Sequence, residues 1–460
     1  MSPALAPSVQ PVASRRASDL VFGLVEELRR RSERLQMLEA RLLDVVGSPF
    51  LPFVDHVGVP AAKLHDAELL ALGFERAAAH PIDAEVYRHP ALALPAIYRL
   101  SAGRPRLALR VGDLADFLVA CGRWTEEVRI EGDPFGGLRR ARLTEHDGHE
   151  VWAVERQGIR GFTPRAMNSR ELAAAMRTRE GFRRRPRYVS ASDDATEVER
   201  LGRCASLIQH ARAEFGVARV ASLFFDAEIE RFVRRNRAGR VLESRLRVLG
   251  VGFPHLDHLV YRSSRARLRH LMRIFETLGF ERRAQLATDH YGAQVLDHPE
   301  LGFSVIAEVD LAPGERATDF AYEALPPLHE PGPIERSTVL HGESILGAGP
   351  HRLAVEVDLD RARAILATER IEVLAPELSG ASQESATAPE PWLPDVDRVD
   401  EAVRRGVIDG TRSVEIMSLG APGSELGLVE RFDGRRDFDA ERLERATQRS
   451  EAWRKRQILA

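Results

Sequence analysis

The feature that most constrains this chain is that it carries the same pattern twice. Leu72-Gly73-Phe74-Glu75-Arg76 recurs unchanged at Leu278-Gly279-Phe280-Glu281-Arg282. Asp55-His56-Val57 answers Asp257-His258-Leu259, and His89-Pro90-Ala91-Leu92 answers His298-Pro299-Glu300-Leu301. Arg106-Leu107-Ala108-Leu109-Arg110-Val111 parallels Arg352-Leu353-Ala354-Val355-Glu356-Val357, and Val154-Glu155-Arg156 parallels Val429-Glu430-Arg431. One echo means little, but five in the same order mark a duplication. The fold is therefore expected to be two copies of one unit, the second lengthened by loop or lid segments around 310–345 and 378–400.

Within a copy the texture is short strands and two helices. Residues 53–59 and the stretch from Gly252 to Val260 read as apolar strands. Lys63 to Leu72 reads as a helix, with Gly73 suited to its positive-φ cap. Strands around 85–88, 93–100 and 106–111, a helix over 114–121, and strands around 137–145 and 150–156 complete the unit. The order, strand–helix–strands taken twice, is that of paired βαβββ modules.

The rest of the chain frames these halves. Residues 1–17, rich in Ala, Pro and Ser, are expected to be disordered, and a single amphipathic helix is expected from Ser18 to about Val46. Together they form an arm, 1–47. The halves occupy 48–162 and 251–437, joined by a helical insertion over 163–250. A charged helix closes the chain within 438–460 and is expected to act as a lid.

Composition excludes some functions. A net charge of −3 gives no ground for a nucleic-acid partner, and the cluster around Arg183-Arg184-Arg185-Pro186-Arg187 reads as a solvated loop or helix end. The 2 cysteines, Cys121 and Cys204, are too few for a disulfide framework. The start lacks a signal-peptide pattern and no apolar run approaches bilayer length, so the expectation is a cytoplasmic protein with no membrane partner. The stripe in the N-terminal helix would allow a homo-oligomer.

The chemistry points to the second half. His258 sits in a short apolar strand, His351 opens the strand 351–357, and Glu430 lies late in the strand 426–432. Two imidazoles and one carboxylate, each on its own strand, are the parts of an open metal site. Alternation places Glu430 with Leu426 and Leu428, so a solvent-facing role is not expected. His255, three residues before His258, should face the other way and is set aside. His290, Tyr291, Gln294 and His298 fall on or near strands that could line a cup, and Arg431 would suit a substrate carboxylate. Each has a plainer reading as an ordinary core or surface residue.

With these residues in place, the chain resembles the vicinal-oxygen-chelate superfamily, and in its two-half arrangement the 4-hydroxyphenylpyruvate dioxygenases most. The resemblance covers about 48–162 and 251–437. It implies an α+β fold in which tandem βαβββ modules form two cupped mixed sheets, a degenerate N-terminal half and a metal-binding C-terminal half. It implies His258, His351 and Glu430 as catalytic metal ligands, Fe(II) as cofactor, and dioxygen with a small oxo acid as partners. Zn²⁺, Mn²⁺ and Ni²⁺ suit the same ligands. An extradiol ring-cleaving dioxygenase, a non-redox isomerase or lyase, and a sequestering protein remain alternatives. In the first half the corresponding residues are His56, Pro105 and Glu155, and proline cannot ligate, so that half is expected to be scaffold. The chain departs from the dioxygenases in its insertion and in Arg431-Phe432-Asp433-Gly434-Arg435-Arg436-Asp437-Phe438, which replaces a glycine-rich stretch. The substrate is therefore not expected to be 4-hydroxyphenylpyruvate.

Overall fold

The computed structural model describes residues 11–457, except 80, 122–127, 147, 186, 188–193 and 380–381. Of the start expected to be disordered, residues 1–10 lie outside the described residues, while 11–17 are helical. The arm is two helices rather than one, α1 (Pro11–Arg30) and α2 (Glu33–Val45). Ser32 divides them: its backbone is extended and its hydroxyl accepts from Leu35 N–H at 3.3 Å, so the chain restarts a helix instead of continuing one. Both helices bury their apolar stripe, Val21 and Val25 from one, Leu35 and Leu38 from the other.

The first half runs β1 (Val54–Pro60), α3 (Asp66–Ala71), β2 (Glu75–Arg76), β3 (Ala84–Arg88), β4 (Ala96–Leu100), β5 (Arg106–Val111), α4 (Leu114–Ala120), β6 (Ile130–Glu131), β7 (Leu138–His146) and β8 (His149–Arg156). Four helices follow: α5 (Ser169–Arg184), α6 (Asp194–Phe215), α7 (Val217–Arg235) and α8 (Arg237–Leu249). The second half runs β9 (Leu256–Arg262), α9 (Leu268–Thr277), β10 (Glu281–Ala287), β11 (Tyr291–Asp297), β12 (Ser304–Asp310), α10 (Pro333–His341), β13 (Arg352–Glu356), α11 (Leu359–Thr368), β14 (Glu377–Ser379) and β15 (Ser382–Ala386). A small pair, β16 (Pro391–Trp392) and β17 (Ala421–Pro422), flanks α12 (Val396–Arg404) and α13 (Gly410–Leu419) before β18 (Glu425–Arg431) and α14 (Ala440–Gln457).

The two large sheets correspond strand for strand: β2-β3-β4-β1-β5-β8-β7-β6 and β10-β11-β12-β9-β13-β18-β15-β14. In each, an antiparallel central pair (β1 with β5, β9 with β13) is flanked by parallel neighbours. That is two βαβββ modules meeting along their first strands, the α+β two-half arrangement the resemblance implied. In the second sheet Leu259, Tyr261, Leu353 and Leu428 face the helices and the main core. Val260, Ala293, Val295 and Ile306 face the other way, with Leu443 of α14 and Phe438, and form the lining of a cup. Both faces need cover, which is why β9 and β12 are buried at every position.

The insertion covers the helix side of the second sheet. Phe225 of α7 meets Phe280 and Phe303 with ring centroids at 5.2 Å each. Fully buried Glu228 accepts from Arg185 Nη2 at 2.7 Å, Arg187 Nη2 at 2.6 Å and Tyr261 Oη at 3.2 Å. The expectation of a solvated loop or helix end holds for Arg184, exposed in the last turn of α5, and is corrected for Arg185 and Arg187, which neutralise a carboxylate that the core would otherwise expel. Among the described residues no helix is long and apolar enough to cross a membrane.

The halves touch where backbone meets backbone. Gly112 N–H donates to Val251 O at 2.7 Å, and a Cβ on Gly252 would lie 2.8 Å from Gly112 Cα. Gly252 also holds φ +66°, so any side chain there meets both strain and a clash. Gly252→Ala is expected to cost about 2 kcal/mol or more in urea denaturation, the left-handed conformation alone being worth ~1–3 kcal/mol. Wild-type stability in that variant would show that the crossing is not a tight constraint.

Candidate functional site

The site is built from a bulge. Between Leu256, which pairs with Val355, and His258, which pairs with Ala354, Asp257 is the extra residue. The first half does the same at Asp55, between Val54 and His56. A bulge breaks strict alternation, so Asp257 and His258 can serve one constellation although adjacent in sequence. His258 Nδ1 donates to Asp257 Oδ2 at 2.8 Å, which leaves the Nε2 lone pair free; Nε2 is buried and finds no partner among the described residues. Arg431 reaches from β18 across β13 to the same carboxylate, donating through Nε at 2.8 Å and Nη2 at 2.7 Å, and Arg436 Nε stands 3.3 Å from it. Burial pushes Asp257 up, but Arg431, the histidine and Arg436 outweigh it and hold the carboxyl well below its ordinary range.

His351 stands just ahead of β13. Arg352 pairs with Val260, and His351 N–H donates to the same Val260 carbonyl at 2.8 Å, so two residues oppose one and His351 is not simply sent to the face opposite Arg352. The ring is buried with Nε2 unpartnered among the described residues. Burial, then Arg262, Arg352 and His341, push its pKa well down, so it is a neutral imidazole.

Glu430 is elsewhere. The cup face of β18 carries Glu425, Gly427 and Val429; Glu430 alternates with Leu428 onto the helix side. There Leu359 N–H, at the start of α11, is its hydrogen-bond donor, while burial and then Asp358 and Asp360 raise its pKa. Glu155 holds the matching place in the first half, accepting from Leu114 N–H at the start of α4 at 2.9 Å. The duplicated glutamate is thus a helix N-terminal acceptor. The structure does not gather His258, His351 and Glu430. Among the described residues no three His, Cys, Asp or Glu side chains stand together as an ion would require. Glu430 does share a face with Leu426 and Leu428, but that face is the helix-covered one.

Other residues do line the cup. Arg352 Nε donates to Glu425 Oε1 at 2.6 Å. Tyr291 Oη donates to Glu308 Oε1 at 2.8 Å, and Arg262 Nε to Glu308 Oε2 at 3.4 Å. Arg262 is fully buried, yet Nη1 and Nη2 find no acceptor among the described residues. Burial raises Glu356 to about 7, beside Arg431 and Asp257. Across from His258 the register places Ala354, Gly427 and Ser304, all small, and the Phe438 ring fills the gap edge-on at 5.2 Å from the imidazole.

Of the suggested substrate contacts, Tyr291 faces the cup and Arg431 is spent on Asp257. His290 is exposed, Gln294 bonds Arg282 and Gln285 on the other face, and His298 Nδ1 accepts from Glu300 and Leu301 N–H inside a turn. His255 is stacked between Phe53 and Phe253, at 5.1 and 6.0 Å. Arg262, Glu308, Arg352, Glu356 and Glu425 were missed. Their signal was an isolated charge set into an otherwise apolar strand.

The clamp should be measurable. Arg431→Met strands a buried carboxylate and is expected to cost ~3–5 kcal/mol, with much of it recovered in the Asp257→Asn/Arg431→Met double variant. Because the folded pKa of Asp257 lies below its unfolded value, the clamp contributes fully above about pH 4 and fades as pH falls. Asp257→Asn should therefore flatten the acid side of the stability profile. Additive single and double variants would refute the coupling.

No protein-family model matches the sequence, and no curated protein matches it. Among solved structures, the hydroxyglutarate synthase of Oryza sativa in complex with 2-oxoadipate is 11% identical, covering 54% of this chain and 93% of its own, with a TM-score of 0.32. The Mn(II)-bound glyoxalase of Novosphingobium aromaticivorans is 10% identical, covering 85% of both chains, with a TM-score of 0.20. A xylose isomerase-like TIM barrel/4-hydroxyphenylpyruvate dioxygenase fusion protein is 12% identical, covering 99% of this chain and 60% of its own, with a TM-score of 0.26. Likenesses this distant assign no activity. What the chain shares with the vicinal-oxygen-chelate superfamily is written in its own strand order, as a resemblance of fold.

Proposed function

We propose that the chain is a metal-dependent enzyme acting on a small carboxylate-bearing substrate in the second cup, and that its finer identity is a non-haem Fe(II) dioxygenase for an oxo acid. The observation that carries this reading is the pair of buried Nε2 atoms, unpartnered among the described residues, of His258 on β9 and His351 just ahead of the neighbouring β13. Buried polar nitrogens left without partners are costly, and a metal ion is what would accept two imidazole lone pairs. The two residues are offset by three positions in register, ~10 Å along the strand at about 3.3 Å per residue, so the rings would have to lean toward one another. The carboxylate that β18 turns into the cup is Glu425, which would serve as third donor in place of Glu430 on leaving Arg352. Bound Fe(II) would supply redox chemistry with dioxygen and open positions for a chelating 2-oxo acid.

The chain's own residues do the remaining work in this reading. The free Nη1 and Nη2 of Arg262 form a fork for the substrate carboxylate, four residues along the same strand face as His258. Phe438 and Leu443 exclude water above the imidazole. Glu356, poised near neutrality, can hold or release a proton beside Asp257. The Arg352–Glu425 pair favours one second reading, metal-independent proton transfer by the Asp257–His258 dyad with Glu356 as acid, an isomerase or lyase.

Metal analysis of purified variants, joined to oxygen uptake over a panel of 2-oxo acids, separates these. Roughly one metal ion per chain is expected in the wild type and in Glu430→Gln, loss in His258→Ala and His351→Ala, and weakening in Glu425→Gln. Metal retained in both histidine variants would sink the site. Turnover without metal or oxygen uptake would select the isomerase or lyase.

A further inference from the structure

The first sheet repeats the dyad with a different electrostatic setting. His56 Nδ1 donates to Asp55 Oδ2 at 2.8 Å, and Arg156 crosses β5 to clamp Asp55 at 2.6 and 3.0 Å. His56 Nε2 is buried and unpartnered among the described residues, with the ring stacked on Tyr98 at 3.8 Å. Arg156 also donates to Ile159 O at 3.1 Å and Gly161 O at 2.7 Å. Those bonds draw the turn carrying Arg160 and Phe162 over the cup, where Phe162 meets Tyr98 edge-on at 5.7 Å and Arg88 lies 6.0 Å over its ring.

Register places Arg88 on the face of Ala84 and Val86, and Arg110 on the face of Ala108, both lining this cup. Among the described residues the acids beside them are Asp55, already spent on Arg156, Glu300, which accepts from the backbone N–H of Arg160 at 3.2 Å, and exposed Glu75, which opposes Arg88 across the β2–β3 ladder. Arg110 Nη2 donates to a carbonyl, Leu301 O at 3.1 Å, and Arg88 donates to nothing among the described residues. Burial lowers all three; repulsion from Arg156 adds to it at Arg88 and Arg110, and repulsion from Arg88, Arg110 and Arg156 brings Arg160 to about 10, yet a guanidinium stays charged at neutral pH. The second copy lacks this excess. By the internal repeat Arg88 corresponds to Asp297 and Arg110 to Glu356, so charge is reversed at two matching positions.

We propose that the first cup, between Arg88, Arg110 and Arg160, binds an oxyanion group, phosphate or carboxylate, of a small molecule. Guanidinium forks match either group, and Tyr98 with Phe162 offers an aromatic wall for the body of the ligand. An anion there would supply the counter-charge that the fold itself withholds, making this half a binding site and not mere scaffold. The inference is independent of what the second cup catalyses.

The test is calorimetric titration and thermal denaturation of the full chain with pyrophosphate and, separately, succinate, each against sodium chloride of equal ionic strength. Saturable binding of one of them is expected, the tighter naming phosphate or carboxylate as the group. Arg88→Gln and Arg110→Met should each weaken it at least tenfold. Arg110→Met should not lower the anion-free melting temperature, because it removes an uncompensated charge. Binding matched by sodium chloride, or unchanged in both variants, overturns the proposal. Should Arg110→Met fail to fold, partly buried Arg88 decides alone.

Discussion

Each half depends on an aspartate held by an arginine from across an intervening strand. Asp257 on β9 and Arg431 on β18 are separated by β13, and Asp55 and Arg156 by β5. Only a long side chain with a planar fork spans that distance and satisfies both carboxylate oxygens at once. The clamp ties the first strand of one module to the last strand of the other. It also fixes the tautomer of the neighbouring histidine, so one ion pair both closes the cup and aims its imidazole.

The adjoining glutamate works on the opposite face. In Val154-Glu155-Arg156 and Val429-Glu430-Arg431 the arginine turns into the cup, while the glutamate turns out to a helix N-terminus. Alternation in a strand divides a three-residue motif between two structural tasks. Duplication preserved both tasks, and the pattern in the sequence records a shared architecture more than a shared chemistry.

The cups then diverged by charge. The second balances Arg262 and Arg352 with Glu308 and Glu425 and roofs itself with Phe438 and α14. The first gathers arginines against too few acids and is covered by the turn after β8. Identical backbone frames thus present a nearly neutral interior and a cationic one, and the substitutions responsible sit at repeat-equivalent positions.

The sequence by itself determined the duplication, the module order, the strand position of His258, the placing of His351 next to the start of β13, and the helical character of 163–250, because periodicity and repetition are local properties of the chain. It missed the break at Ser32 and the burial of Arg185, since a cap or a buried counter-ion such as Glu228 becomes visible only when distant segments meet. Only the tertiary structure decided which face of β18 is the cup. Alternation groups Glu430 with Leu426 and Leu428 without saying what lies beyond that face, and both faces of this sheet are buried. The bulges at Asp55 and Asp257 were equally invisible, because an extra residue is defined by the partner strand it fails to match.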